Sequence, residues 1–561
     1  MNFSMKIRIP ILAAATFCCL SCIEANHSIG GNFIPAVETY SFYTAEVPLE
    51  GISVKMADQL SGYSDARITI GSILEPEYGL TTRASAVTLV PLISSEDEDF
   101  TIGANPVFQR FHFAAATDTT SYITDSQENI LQQVRVYELS QQLDPTKDYD
   151  CNQVVAHNPE IIAKGTPVIN GVDSLSFDFS ESFGRRFLSL TRADLADINT
   201  YLSKFPGIYL ETPEPEQDGN GRINMLQVQL SYDANYTAIT GNYATLYYSA
   251  EFGGVRKDTS LTFYYGATKV FDLDSLFSSY SGTFPQYALN LTGHQTRDRA
   301  GVAGEKISIE GGGGLKPVIS ALSLKHQVEA AIRAVGGDPH DAVINKASLV
   351  FPFDFPEDYL EMRFWPYRLS PTCRLVYGEG DDTSTTFMGL TDASSSDENQ
   401  GDLDRSLLRY APDITYHMQE VLKIDETAAD NIKTQYLLSG NYDIWLLIMA
   451  KEQETTVSTT SQEQQEMLNY LAYSSYYNSM YGGGYGGYGD YGYGSYYGSS
   501  YSNYLNYAMM AQYASMAQTS TSSVIELDRD RFYRASLCGP QNADPAKVPM
   551  LKITFALPNG E

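Results

Sequence analysis

The sequence predicts an all-β protein built from two tandem jelly-roll-like β-sandwiches, with few short helices and a helical, Tyr/Gly-rich insert in the second sandwich. Two observations favour this fold class. Short segments rich in Val, Ile, Thr, Tyr and Phe recur along the chain and are bounded by Gly, Asn, Asp or Pro, as strands between turns are. Helical patterns are few and brief, and many short strands with intervening turn signals are typical of sandwiches.

The predicted strands share this composition and these flanking residues. They lie at residues 67–74, 84–92, 133–139, 207–212, 224–232, 243–252, 260–265, 347–353, 360–367, 442–450 and 550–556. Gly253-Gly254 predicts a hairpin between the sixth and seventh of them. Apart from the flanks of the insert at residues 461–518, helical periodicity is confined to residues 192–205, 322–334 and 416–422.

A division of the mature chain is predicted near residue 300. The stretch 296–304 is polar and contains glycine, which suits a junction. Each half contains a strand with Ala-Ser or Ser-Leu, then a helical stretch, then a strong strand. The expected domains are therefore residues 22–300 and residues 301–561.

The first two dozen residues have the layout of a bacterial lipoprotein signal. Lys6 and Arg8 precede an apolar run over residues 9–20. This run is too short to span a bilayer, because a membrane-spanning helix needs about 20 residues. Small Ser21 precedes Cys22. We expect residues 1–21 to be removed and Cys22 to carry acyl chains such as palmitate. The alternative is an ordinary signal peptide whose cysteines are apolar fillers.

The charge balance bears on possible partners. The chain has 37 Lys plus Arg against 68 Asp plus Glu, a net charge of −31. Signal removal takes away Lys6 and Arg8 and no acid, which gives −33. A chain this acidic is repelled by phosphate backbones, so nucleic-acid binding is disfavoured, and its charge is best interpreted as a solvated surface.

The cysteines do not indicate a disulfide scaffold. Apart from Cys22, the predicted mature chain has only Cys151, Cys373 and Cys538, so at least one of the three has no internal partner. Whether any two of them pair is left open. A chain of this length can bury a core without disulfides.

Residues 461–518 form the predicted insert. The stretch from Tyr470 to Tyr513 holds fifteen of the 41 tyrosines, and its centre is almost entirely Tyr, Gly and Ser. The flanks lack Pro and Gly and look helical. The centre is either a disordered low-complexity loop or an aromatic contact platform. The candidate contact residues are Tyr481, Tyr485, Tyr488, Tyr491, Tyr493, Tyr496, Tyr497 and Tyr501.

No pattern indicates an active site or a cofactor. The seven histidines are isolated, and the Gly311–Gly314 run precedes a strand, so a wide turn is a better interpretation than a phosphate cradle. Glu216, Asp218 and Asn220 have the spacing of the first calcium-loop ligands, but Gln227 stands where a bidentate Glu is needed. A hairpin turn at Gly219-Asn220-Gly221 is the alternative. We therefore expect no enzyme activity.

Five short motifs follow one another in an order that resembles a family of Bacteroidota lipoproteins. They are Ser28-Ile29-Gly30, the stretch Thr69 to Gly79, the glycine-rich stretch Gly304 to Gly314, Ile344-Asn345-Lys346-Ala347-Ser348-Leu349, and Pro549-Met550-Leu551-Lys552-Ile553. The family is catalogued as domain of unknown function 4270 (DUF4270). Glu75 and Tyr78 stand where its members usually have Asp and Phe. The resemblance implies an outer-membrane or cell-surface lipoprotein and no catalytic residues.

Two functions follow as expectations. The first is a lipid-anchored outer-membrane or cell-surface protein that acts by protein contact, as a non-catalytic subunit beside an outer-membrane barrel complex. The second is a glycan-binding lipoprotein of a polysaccharide uptake system. The membrane face on which the body lies is left open.

Overall fold

The structure is a computed structural model, and it describes most of the chain between residues 40 and 559. The gaps within that range are residues 94–98, 123–124, 145–146, 148, 229, 233–238, 267–282, 285–287, 296–298, 378–383, 393–399 and 459–517.

The expectation of an all-β fold is confirmed. Strands account for 47% of the structure and helices for 16%, in several sheets of sandwich-like arrangement. The strands fall into two groups that share no sheet, and each group surrounds its own core. We call these groups the inner body and the outer body.

The inner body contains nineteen strands in the described part of the chain. They are β3 (Tyr63–Ser64), β4 (Arg67–Glu75), β5 (Gly79–Val87), β6 (Leu89–Pro91), β7 (Ala104–Ala115), β8 (Thr117–Thr120), β9 (Gln132–Gln133), β10 (Arg135–Leu139), β11 (His157–Ile161), β12 (Val168–Ile169), β13 (Leu175–Asp178), β14 (Ile208–Glu211), β15 (Asn220–Gln227), β16 (Leu230–Tyr232), β17 (Ile239–Gly241), β18 (Ala244–Phe252), β19 (Val255–Tyr265), β20 (Thr283–Phe284) and β21 (Ala288–Gln295).

The outer body takes the remaining described strands from both ends of the chain. They are β1 (Tyr40–Pro48), β2 (Ser53–Met56), β22 (Gly301–Val302), β23 (Lys306–Glu310), β24 (Leu315–Ile319), β25 (Val343–Pro352), β26 (Arg368–Tyr377), β27 (Ser384–Gly389), β28 (Arg409–Tyr410), β29 (Ile444–Ser458), β30 (Gln518–Leu527), β31 (Arg534–Cys538) and β32 (Met550–Pro558).

The helices of the described residues are short. They are α1 (Asp125–Glu128), α2 (Glu181–Phe187), α3 (Ile198–Lys204), α4 (Ala321–Ala334), α5 (Thr415–Leu422) and α6 (Ile432–Leu438), with 3-10 turns at Arg192–Leu195, Tyr359–Phe364 and Pro545–Lys547. The three predicted helical stretches are present, the first split by Asp197, which caps α3. None of the helices in the described ranges is long and apolar enough to cross a membrane.

The inner body packs a nine-stranded sheet against a five-stranded sheet. The larger sheet has the order β11-β10-β14-β5-β4-β15-β8, with β21 paired to β5 and β3 paired to β21, and the smaller has the order β13-β7-β18-β19-β6. The core between them is rich in aromatic rings; Phe111 and Phe263, for example, have centroids 5.2 Å apart. The predicted hairpin is confirmed as β18–β19, where Gly253 and Gly254 take positive φ angles that suit a two-residue turn.

The outer body surrounds a second core with two larger sheets. One has the order β1-β32-β25-β28 and the other β22-β2-β24-β29-β26-β27, with β30 paired to β29. Helices α4 and α5 contribute Leu324, Val328 and Met418 to this core. Trp365 and Trp445 are both buried in this body.

The domain division differs from the expected one. Strands β1 and β2 lie in the predicted domain 22–300 but pair with β32 and β24 of the outer body. The described residues thus begin in the outer body with β1 and β2, form the inner body from β3 to β21, and return to the outer body from β22. The arrangement of the described residues is therefore nested. The sequence did not predict this, because sheet pairing between distant segments cannot be inferred from composition along the chain.

One predicted strand is wrong. Residues 360–367 begin with the 3-10 turn Tyr359–Phe364, whose first turn is capped by the Asp358 carboxylate. Pro366 follows shortly after the turn and cannot donate the hydrogen bond that a longer helix would need. The apolar residues of the 3-10 turn face the core. A short apolar run in the sequence does not distinguish such a turn from a strand.

The nested arrangement predicts that a side chain near residue 40 stabilises the C-terminal core. Tyr43 on β1 stacks on Phe555 of β32 with ring centroids 5.7 Å apart. Replacing Tyr43 with Ala should destabilise the outer body by about 2 kcal/mol, because half-buried aromatic packing is lost. Denaturant unfolding followed by tryptophan emission reports the outer body, where both described tryptophans are buried. Tyr40→Ala, on the exposed face of the same strand, is the control and should change little. An unchanged midpoint in Tyr43→Ala would contradict the pairing.

Candidate functional site

A cluster of buried charges joins the two bodies, and we call it the joint. The inner body contributes Glu75, Tyr78 and Arg83 from β4, β5 and the turn between them, together with His294 of β21. The outer body contributes Glu310, Lys316, Asp528 and Arg534. These charged residues are buried. Because Glu75 pairs with Arg534, the joint brings together segments separated by more than 450 positions in sequence.

Lys316 lies at the centre of the joint and is held by backbone carbonyl groups. Its Nζ donates to the carbonyl oxygens of Glu310, Gly312 and Gly314, the last two at 2.9 and 3.1 Å. The turn from Gly311 to Gly314 must curl around the ammonium group, and Gly312 takes a φ of 55°. A Cβ at Gly312 would lie 2.4 Å from Arg83, so the glycine run is needed for this close approach.

Two buried arginines of the joint have carboxylates of the other body as electrostatic partners: Arg83 has Asp528, and Arg534 has Glu75. Asp528 accepts hydrogen bonds from the backbone N–H of Gly312 at 2.9 Å and of Arg531 at 3.0 Å, and it lies in the electrostatic field of Arg83. Burial raises the pKa of Asp528 and lowers the pKa of Lys316 to about 8. Both shifts show the cost of desolvating these groups, which the nearby opposite charges partly offset.

Arg534 of the outer body and the turn after β4 of the inner body form one side of the joint. Arg534 is ion-paired with Glu75, and its guanidinium lies 4.4 Å from the Tyr78 ring centre. Arg299 lies 4.2 Å from the same ring and pairs with Glu77 at 2.7 Å. Tyr78 therefore has two guanidinium groups within cation–π distance.

A narrow cavity between the bodies has room for about one water molecule. His294 Nδ1 lies 3.1 Å from Glu310 Oε2, while the other polar atoms of this pair, His294 Nε2 and Glu310 Oε1, have no hydrogen-bond partner among the described residues. Burial lowers the pKa of His294, which favours the neutral ring. Two unsatisfied polar atoms beside such a cavity are typical of a bound water.

We interpret the joint as the contact that holds the two bodies together.

A second charge cluster holds the hairpin that carries the predicted insert. Arg67 at the start of β4 pairs with Asp118, with Glu452 at 2.8 Å and with Asp530 at 3.1 Å. Glu452 on β29 also accepts a hydrogen bond from Arg531 at 2.7 Å. An inner-body arginine thus fixes the base of the β29–β30 hairpin of the outer body.

The predicted contact and lipid-bearing residues lie outside the described residues. This applies to Cys22, to the tyrosines from Tyr481 to Tyr501 and to the insert 461–518 apart from Gln518. What the structure describes is the point where the insert leaves the body. Strands β29 and β30 pair continuously from Met449–Leu527 to Ser458–Gln518, so the two ends of the insert are neighbours in one ladder.

The calcium-loop candidate lies in a surface connection between β14 and β15. Glu216 and Asp218 are exposed, and Asn220 begins β15. The hairpin alternative is wrong, because β14 and β15 are separated in the sheet by β5 and β4. Within the described residues, no group of three or more His, Cys, Asp and Glu side chains could hold a metal ion. Cys151, Cys373 and Cys538 are buried and free.

One Ser–His–Asp arrangement emerges that the sequence did not reveal. On the outward face of β7 and β13, Ser176 Oγ lies 3.2 Å from His112 Nε2, and His112 Nδ1 lies 2.8 Å from Asp178 Oδ1. Asp178 is directly opposite His112 across the two strands. These are the contacts of a nucleophilic serine, its base and the carboxylate that orients the base.

Arg110 counters the catalytic interpretation. Its Nε donates to Asp178 Oδ1 at 2.6 Å, and its Nη2 lies 2.9 Å from His112 Nδ1. A triad must stabilise the imidazolium that forms when histidine takes the serine proton. An Arg110 N–H can only donate, so donation to His112 Nδ1 would place the ring proton on Nε2, the atom that must accept the serine proton. Ser176 is moreover exposed on an open sheet face, where water competes for every developing charge.

Comparison with known proteins identifies no relative: no family model, no curated protein and no solved structure matches this chain.

The joint was missed by sequence reasoning, although two of the motifs behind the family resemblance meet in it. The stretch Thr69 to Gly79 supplies Glu75 and Tyr78, and the stretch Gly304 to Gly314 supplies Glu310 and the glycine turn. The signal that could have pointed to it is a charged residue inside an otherwise apolar strand pattern, such as Arg83 or Lys316.

We predict that the Ser176 arrangement does not act as a nucleophile. A fluorophosphonate probe should label the purified protein no more than it labels Ser176→Ala, because Arg110 competes with Asp178 for His112 Nδ1. Gel fluorescence with a known serine hydrolase as positive control is the measurement. Labelling of the wild type that disappears in both Ser176→Ala and His112→Ala would show that the chain is an enzyme.

Proposed function

We propose that this protein is a lipid-anchored outer-membrane or cell-surface protein that acts by contact with another envelope protein, as a non-catalytic subunit beside an outer-membrane barrel complex. The anchor is Cys22, supported by the order of positive residues, apolar run and Ser21-Cys22. The resemblance to the DUF4270 lipoproteins supports the same location. No cofactor is part of the proposal.

The observation that carries the contact function is that the strands on either side of the insert pair with each other in one hairpin. The ten-pair ladder of β29 and β30 ends at Ser458–Gln518, and the Tyr/Gly-rich residues lie between those two positions. Arg67 fixes the base of the hairpin through Glu452. A tyrosine-rich segment that leaves and re-enters a rigid body at one point is suited to binding another protein.

The alternative is glycan binding in a polysaccharide uptake system, and one surface favours it. Tyr416 of α5 and Tyr436 of α6 are exposed, and Lys433 and Glu420 form a 3.1 Å ion pair between the same helices. Exposed rings beside charged hydrogen-bonding groups are suited to stacking on sugars.

Deleting the insert should remove the partner without unfolding the body. Joining Thr460 to Thr519 through a short Gly/Ser linker removes residues 461–518 and, of the ladder, only its last pair. We expect an unchanged melting temperature, since loop length changes closure entropy by only about 0.6 kcal/mol per doubling. We also expect loss of an outer-membrane barrel protein from a pull-down of solubilised membranes, with bound proteins identified by mass spectrometry.

A length-matched control separates loop removal from loss of the aromatic rings. Replacing the eight candidate tyrosines with Ser keeps the insert at full length and should also lose the partner. Retention of the same barrel protein by both variants would contradict the contact role of the insert. Binding that requires added polysaccharide and persists in both variants would favour the glycan alternative.

A further inference from the structure

The outward face of β1 has an apolar end that the core does not explain. Tyr40 is 49% exposed and Phe42 is 67% exposed. Phe42 lies opposite Ala556 of β32, and Ala556 lies opposite Val343 of β25, which is 43% exposed. We call the surface formed by Tyr40, Phe42 and Val343 the outer aromatic patch.

The inward residues of β1 already supply its packing. Tyr43, Ala45 and Val47 alternate with the exposed positions and pack against the outer-body core. Tyr40 and Phe42 thus keep large rings in water although the strand is held without them. Adjacent exposed aromatic residues usually mark a contact surface.

The same face becomes polar away from this end. Thr44 pairs with Thr554, and Glu46 forms a 2.7 Å hydrogen-bonded ion pair with Lys552. The apolar part is therefore confined to the end at which the chain enters the body. Of the described charges on these strands, Lys346 lies opposite Thr554 and Glu46 pairs with Lys552, so they add no net negative charge to the patch although the chain as a whole is acidic.

The proposed anchor determines what lies nearest to this end. Tyr40 is 18 residues after Cys22, and a chain of that length spans at most about 60 Å even when fully extended. The membrane that holds the lipid is therefore kept at a high effective concentration beside the patch. Aromatic rings are favoured at the level of lipid headgroups, where an apolar ring and a hydroxyl are both accommodated.

We propose that the outer aromatic patch lies in the headgroup region of the membrane that holds the Cys22 lipid. The contact orients the body with the N-terminal end of β1 toward the bilayer. This inference rests on the proposed lipid anchor, but its test separates failure of the patch contact from failure of the anchor.

The test uses the full lipidated chain with Phe42→Trp, purified in detergent and reconstituted into phosphatidylcholine vesicles. A second set of vesicles contains phosphatidylcholine brominated near the headgroup end of its acyl chains. Trp365 and Trp445 are buried and give a constant background. We expect the added emission to shift to shorter wavelength in vesicles and to be largely quenched by the brominated lipid. Tyr40→Trp is a second probe on the same face.

Tyr247→Trp is the matched control, since Tyr247 is 41% exposed on β18 of the inner body. It should be neither shifted nor quenched. A vesicle-bound Phe42→Trp protein with unshifted, unquenched emission overturns the inference while leaving the anchor intact. Emission that is already shifted in a Phe42→Trp chain that lacks the lipid and is kept free of detergent shows that protein covers the patch, and also overturns it. Failure of the wild type to float with vesicles overturns the anchor and the inference together.

Discussion

Full charges are buried between the two bodies, and the strand ends around them are arranged so that each charge has polar partners. Lys316, Arg83 and Asp528 lie out of contact with water, where an unpaired charge would cost several kcal/mol. They are tolerated because the glycine turn supplies carbonyl groups, and because Asp528 and Glu310 supply negative charge. The positions of β4, β5, β23 and β24 follow from this requirement, since their ends must deliver these groups to one place.

The nested topology has consequences for folding and for placement at a membrane. Strand β1 pairs with β32 across more than 500 intervening positions, so the outer body cannot be completed until the end of the chain is available. Pairings of such sequence separation form slowly because loop closure precedes any gain from contact. The inner body has no such dependence and can form first. The proposed tether therefore leads into β1, and β1 is held in place by pairing with β32, the last described strand.

Local sequence patterns predicted much of the secondary structure, but they did not predict the contacts between residues that are far apart in sequence. Alternation identified strands such as β18 and β19, and turn chemistry identified Gly253-Gly254, because both signals lie within a few residues. The ion pair between Glu75 and Arg534 left no local trace, and neither did the Ser176–His112–Asp178 cluster. The hairpin expected at Gly219-Asn220-Gly221 was wrong because β15 pairs with β4 and β8 rather than with β14. Gly221 instead allows close packing, since a Cβ there would overlap the Ser72 carbonyl oxygen.

We propose that lipid on Cys22 holds this nested β body at a membrane. The mass of the N-terminal peptide of the protein purified from membranes tests this proposal. We expect a peptide that begins at Cys22 and carries a diacylglyceryl group with or without a third acyl chain. A mature chain that begins at another residue, or an unmodified Cys22, would contradict it.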